Sequence, residues 1–331
     1  MLVYIPRNSF IIILKKVKFI PGQAFPHQKC GDHRRERDKY VHWTGELTMH
    51  EKRIAEKGND SADAADKLLV LLAGQSNMAG RGYAGPDDLT VIPRLLMIRP
   101  DFKWQPAVEP ITKDRKFIGT FQRSGEKIIS CDPFETVLPQ GDQKVCGVGL
   151  GRTFGRLLSE ANPGRIVGLI PTAVGGTSIA AWMPGGVDDR DPSNYPYDVA
   201  VRKAREAQKS GRIIAVLWHQ GETDVKNQTP GYREKLRSVI RNFRRDLDLT
   251  PDVPFIAGDM ASFYREPIGS HIGLVDDALK ELAESEPGVV LVTTKDMTDR
   301  GDKLHFDTES LHALGKRYYE AYADFMRSRK P

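Results

Sequence analysis

The chain has 331 residues, 40% of them hydrophobic and 28% charged, a make-up that suits one large α/β domain or two small globular ones. Its net charge is +5, and residues 1–66 carry +3 of that (12 basic against 9 acidic), so the remainder is nearly balanced and offers no footprint for nucleic acid. No apolar run reaches membrane-crossing length, and three cysteines (Cys30, Cys131 and Cys146) are too few, and odd in number, for a disulfide framework.

Residues 1–66 show no sustained period of 2 or 3.6 and read as a poorly structured extension. Lys15, Lys16 and Lys18 follow the apolar patch Phe10–Leu14, whereas a secretory signal carries its basic residues first. As written the chain reads as cytoplasmic, with secretion left open if translation starts downstream of Met1. Cys131 and Cys146 are a candidate pair only in that case. His27-x-x-Cys30-x-x-His33 has only three candidate ligands and reads as chance, not as a metal site.

From Lys67 onward strands and helices alternate. Leu68-Leu69-Val70-Leu71-Leu72-Ala73 is a continuous apolar run ending in Gly74-Gln75-Ser76-Asn77, the pattern of a buried parallel strand feeding a polar turn. Residues 81–147 hold seven prolines and read as a long irregular region over that turn. A helix follows over about 150–160, stopped by Asn162-Pro163-Gly164. Arg165–Ile170 is the second strand and ends in Gly175-Gly176-Thr177-Ser178. After a Pro/Gly/Asp-rich loop at 183–197 and a helix over about 197–209, Ile213–Trp218 is the third strand, ending in His219-Gln220-Gly221-Glu222. Helices at about 230–247, 271–284 and 308–327 enclose a fourth strand at 254–258 and a fifth at 289–293. Asp302-x-x-His305 lies just before the last helix. The expected fold is three-layer α/β/α with a five-stranded parallel sheet, formed by residues 67–331.

In such a sheet the polar clusters at the strand ends share one edge. They supply what acyl transfer needs: a hydroxyl (Ser76), a base that titrates at about 6.5 (His305), and a carboxylate three residues from it to orient it (Asp302). Donors for an oxyanion are the amides of Ser76 and a glycine and the side-chain NH2 of Gln220, each such donor being worth about 3–4 kcal/mol of barrier. Asn77 reads as a turn residue and His219 as a locally packed one. His312 is a rival base without an acid at matching spacing. Trp182 and Trp104 are candidate walls for a sugar-binding cleft, with core packing as the alternative.

Gly74-Gln75-Ser76-Asn77-Met78, Gly175–Met183, Trp218-His219-Gln220-Gly221-Glu222-Thr223-Asp224 and Asp302-x-x-His305-Phe306 together resemble the sialate O-acetylesterase domain. That domain belongs to the SGNH (GDSL-like) hydrolase superfamily and includes the acetyl xylan esterases of carbohydrate esterase family 6. The resemblance covers about 68–327. It implies a flavodoxin-like fold and hydrolysis of acetyl esters on carbohydrates without a cofactor or metal. Ser76 is then the nucleophile and His305 the base, oriented by Asp302 or, as in some relatives, by Glu222, with Gly176 and Gln220 completing the oxyanion hole beside the Ser76 amide. The expected partner is an acetylated carbohydrate, with no nucleic acid and no membrane span. The alternatives are a general short-chain carboxylesterase and a catalytically idle carbohydrate-binding module.

Overall fold

A computed structural model describes residues 66–112, 119–123, 126–130, 144–264 and 269–329. The expectation for 1–66, the His27/Cys30/His33 spacing and Cys131 therefore lie outside the described residues, Asp66 excepted.

The chain is built around β1 (Lys67–Gly74), every residue of which is buried. Branched side chains on both faces leave it no solvent-facing side, so it can only sit in the middle of a covered sheet. It does: β8 (Val167–Pro171) pairs with it in parallel on one side and β9 (Gly211–His219) on the other. The sheet continues through β10 (Phe255–Gly258) and β11 (Val289–Val292) beyond β9, and through β3 (Leu95–Ile98) and β4 (Trp104–Pro106) beyond β8. Six strands are parallel; β4 closes the edge antiparallel to β3.

The class is as expected, but the sheet has seven strands, not five. The two extra strands come from 81–147, which therefore is not an irregular loop. The rest of that region supplies β2 (Gly82–Tyr83), β5 (Gly119–Arg123), β6 (Glu126–Ser130) and β7 (Lys144–Val148), joined as a second, four-stranded sheet in the order β2-β7-β6-β5.

Helices cover both faces of the main sheet. On one, α2 (Leu150–Ala161) packs against α7 (Thr308–Ser328), with Phe154 edge-on to Tyr319 and Tyr322. Gly315 permits this approach, since a Cβ there would lie 2.5 Å from the Leu150 carbonyl oxygen. On the other face are α3 (Pro196–Gln208) and α5 (Tyr232–Asp246), joined by Tyr197 against Phe243. The short α1 (Ser76–Ala79) and α4 (Glu222–Asn227) start directly beyond β1 and β9, and α6 (Gly273–Ser285) lies between β10 and β11 in sequence. No helix among the described residues is long and apolar enough to cross a membrane.

Candidate active site

Three strand ends and one late loop meet at the carboxyl edge of the sheet. β1 delivers Ser76 as the first residue of α1. The turn between them needs Gly74: its φ is +131°, and a Cβ there would lie 2.2 Å from the His219 carbonyl oxygen of β9. Only glycine tolerates both the backbone angle and that approach.

Ser76 is 5% exposed. Its Oγ lies 3.0 Å from His305 Nε2. His305 Nδ1 is 2.9 Å from Asp302 Oδ2, so Nδ1–H donates to the carboxylate and leaves Nε2 bare to accept the serine proton. The aspartate is bound in several ways at once. Its Oδ1 accepts from the His305 amide at 2.8 Å and the Leu304 amide at 3.1 Å. Its Oδ2 also accepts from Arg300 Nε at 3.1 Å. Burial pushes the Asp302 carboxyl up, but the His305 ring and these amides outweigh it and hold the group well below the usual carboxylate range. Arg300 is itself fixed by Nη1, which donates to the Arg81 carbonyl at 2.7 Å, and by the Tyr83 ring 5.3 Å from its guanidinium carbon.

Glu222 is brought to the same edge but not to His305. Its Oε1 accepts from Asn77 Nδ2 and lies 3.9 Å from His219 Nε2. Burial raises the Glu222 carboxyl to about 7. His219 is fully buried, which lowers it to about 4, and its Nδ1 meets the Tyr318 hydroxyl at 3.2 Å.

The turn after β8 carries Gly176 at φ +76°, with the Arg190 guanidinium packed over it: a Cβ would lie 2.4 Å from Arg190 Cζ. Among the described residues neither the Ser76 nor the Gly176 amide has a hydrogen-bond acceptor. Gln220 is differently placed. Its Nε2 donates to Asp224 Oδ2 at 2.5 Å and the Thr177 carbonyl at 3.0 Å, with Gln75 Oε1 at 3.3 Å. Three acceptors face two protons, so this amide is spent on holding the 175–177 turn and α4 together.

Both tryptophans fall elsewhere. Trp182 is 0% exposed; its Nε1 donates to Thr177 Oγ1 and its ring stands edge-on to Trp218. It is core and offers no face to a sugar. Trp104 reaches Ser210 Oγ and lies under Lys67 Nζ. These residues mark the amino ends of β9 and β1, so Trp104 sits at the opposite edge of the sheet from Ser76. His312 does have an acid, Asp88 at 2.8 Å, which also faces Arg152, but the ring that meets Ser76 Oγ is that of His305. The sequence reading also missed Gln75, Asn77 and Arg300. Their only signal was adjacency to Ser76 and to Asp302.

The mixed α/β fold, a mostly parallel sheet between helices, is one that a solved carbohydrate acetylesterase also adopts. The chain belongs to the carbohydrate esterase, sialic acid-specific acetylesterase family, whose profile matches residues 66–324, and it is accordingly a hydrolase acting on ester bonds. A probable carbohydrate esterase of Arabidopsis thaliana is 31% identical over 273 residues, which cover 77% of this chain and 89% of that protein. The X-ray structure of an Arabidopsis thaliana protein is similar at TM-score 0.61 and 28% identity, over 78% of this chain and 98% of that one. NanS shares the fold at TM-score 0.60 and 16% identity, over 81% of this chain and 99% of its own. So does a carbohydrate acetylesterase from Xanthomonas citri, at 0.56 and 17%, over 80% and 57%.

Proposed function

We propose that this enzyme removes acetyl groups from the hydroxyls of a carbohydrate through a Ser76–His305–Asp302 relay. The observation that carries the reading is the unbroken line of hydrogen bonds from Ser76 Oγ through the His305 ring to Asp302. Ser76 Oγ attacks the acetyl carbonyl while His305 Nε2 takes its proton. The protonated ring then gives that proton to the departing sugar hydroxyl, leaving acetyl-Ser76. Water attacks that ester with His305 again as base, releasing acetate and restoring the serine. Ionised Asp302 keeps Nδ1 protonated and stabilises the imidazolium between these steps.

The unengaged amides of Ser76 and Gly176 support a place for the oxyanion beside the serine. Gln220 enters as the brace of the glycine turn through Thr177, and becomes a third direct donor only by exchanging one of its present acceptors. The acetylated-carbohydrate substrate rests on family membership and on the relatives that are carbohydrate esterases.

Ser76→Ala tests the reading. With acetylated sialic acid, acetylated xylan and p-nitrophenyl acetate as substrates, acetate release should fall by roughly 10⁴-fold or more on every ester that the parent cleaves. Undiminished turnover in the folded variant would sink the assignment. A p-nitrophenyl series of rising acyl length, cleaved without preference for acetyl, would favour a general short-chain carboxylesterase.

A further inference from the structure

Asn77, the neighbour of Ser76, is 2% exposed and does more than shape a turn. Its Oδ1 accepts from the Phe306 amide at 3.2 Å. Its Nδ2 donates to the Leu304 carbonyl at 3.1 Å and to Glu222 Oε1. Leu304 and Phe306 are the two residues that flank His305. One carboxamide thus grips the main chain immediately before and immediately after the histidine. The grip has a single workable orientation: an amide N–H can face only the oxygen, and a carbonyl can face only the NH2. The second NH2 proton goes to Glu222, whose carboxylate is thereby the stop that keeps the carboxamide from turning over. Glu222 is anchored in turn at the start of α4, where its own carbonyl accepts from the Tyr264 hydroxyl at 2.7 Å.

The loop that carries His305 is stiff by itself. The Arg300 amide donates to the His305 carbonyl at 3.0 Å, and Asp299 pairs with Phe306. A stiff loop still needs a fixed distance to the serine. The Asn77 link sits one residue from each reacting group, so it has the shortest lever arm between them. We propose that Asn77 is the positioning residue that sets the Ser76–His305 distance, with Glu222 acting on the histidine only through Asn77. This rests on the Ser76–His305 reading above.

The assignment separates two roles for a glutamate at this place. If Glu222 oriented the imidazole directly, loss of its charge would be as harmful as loss of the charge on Asp302. If it is a stop for Asn77, any acceptor of the same length serves. The kinetics of Asn77→Ala, Glu222→Gln, Glu222→Leu and the double variant Asn77→Ala/Glu222→Leu on p-nitrophenyl acetate decide this, each corrected for folded fraction by circular dichroism. An error of about 1 Å in a reacting pair costs about 10²-fold. Asn77→Ala should therefore lower kcat by about that factor and leave KM within about threefold. Glu222→Leu should lower kcat at least tenfold, and the double variant should be no worse than Asn77→Ala, as expected of residues acting through one link. Glu222→Gln should recover most of what Glu222→Leu loses.

Three results overturn the proposal: multiplicative losses in the double variant, a kcat unchanged by Asn77→Ala although the melting temperature falls, or a Glu222→Gln variant as damaged as Asp302→Asn. If Asn77→Ala does not fold, Asn77→Asp keeps the volume and loses the NH2; it should show the same kcat loss, and full kcat in it overturns the proposal. Failure of the underlying relay is read separately, from a Ser76→Ala variant that stays active.

Discussion

Asp302 keeps its charge in a place where burial works against it. The side chain is only 9% exposed, yet two backbone amides, the His305 ring and the Arg300 guanidinium all donate to it. Every one of these bonds favours the carboxylate over the acid. The aspartate is thus ionised throughout the range in which a histidine can act as base. Asp302→Asn removes the charge and can present an NH2 to Nδ1, which favours the wrong tautomer of His305. A kcat on p-nitrophenyl acetate reduced by roughly 10³–10⁴-fold, with the fold intact by circular dichroism, is the expected outcome; a loss below tenfold would remove Asp302 from the relay. This part of the site was readable from three-residue spacing before a helix. The Asn77 link was not, because its partners lie 145 and 227 residues away and only the folded chain brings them together. The tryptophans misled for a related reason. Trp182 closes a single 3-10 turn (Ile179–Trp182) just before a loop rich in proline and glycine, where an aromatic resembles a binding wall until the Thr177 bond and the Trp218 contact are seen.

Among the elements, the strands that were legible are those apolar on both faces: β1, β8, β9, β10 and β11. β3 and β4 were hidden. Leu95–Ile98 spans only four residues between Pro93 and Pro100, and Trp104–Pro106 is a three-residue edge strand whose closing proline argues against a strand in the sequence. The order of the strands places β1 between β8 and β9, so the turns after all three are neighbours. That adjacency makes Gly74 a vulnerable position. Alanine there would bring its Cβ into the β9 backbone at His219 and require a backbone angle that L residues avoid. Gly74→Ala should destabilise the fold by about 2 kcal/mol or more. A urea midpoint within error of the parent's would show that the two strands can separate at that point without penalty.

For the molecule as a whole, buried titratable groups give stability opposing dependences on pH. Glu109 is buried, with its two carboxylate oxygens accepting from the Ile111 amide at 2.8 Å and the Gly149 amide at 3.2 Å, the latter just before α2. Burial raises it to about 7. A carboxyl raised in the fold stabilises fully below its unfolded value, near 4.5. Between there and about 7 the unfolded chain gives up its proton while the folded one retains it, so stability falls as pH rises, by about 3 kcal/mol. Glu222 acts in the same direction. His219, lowered to about 4, acts in the opposite one: its contribution is complete above about 6.5 and is lost as pH falls towards 4. Glu109→Gln removes one falling limb. Relative to that variant, the parent should lose unfolding free energy as pH rises from about 4.5 to about 7, measured by urea titration at each pH; a constant difference would show that the carboxyl is not neutral in the fold.

Ser76 and His305 stand 229 residues apart in the chain, and their 3.0 Å contact is among the most non-local in the molecule. A contact of that kind forms late, because closing so long a loop costs entropy that must be repaid by everything folded between its ends. As the chain leaves the ribosome, the strand that holds the serine emerges long before the histidine, and α7, which follows His305, must still dock on α2. By the proposed mechanism, esterase competence therefore belongs to the finished domain, in which both ends of that contact are in place. A nascent or truncated chain can hold Ser76, the glycine turns and most of the sheet, and still lack the Ser76–His305 contact.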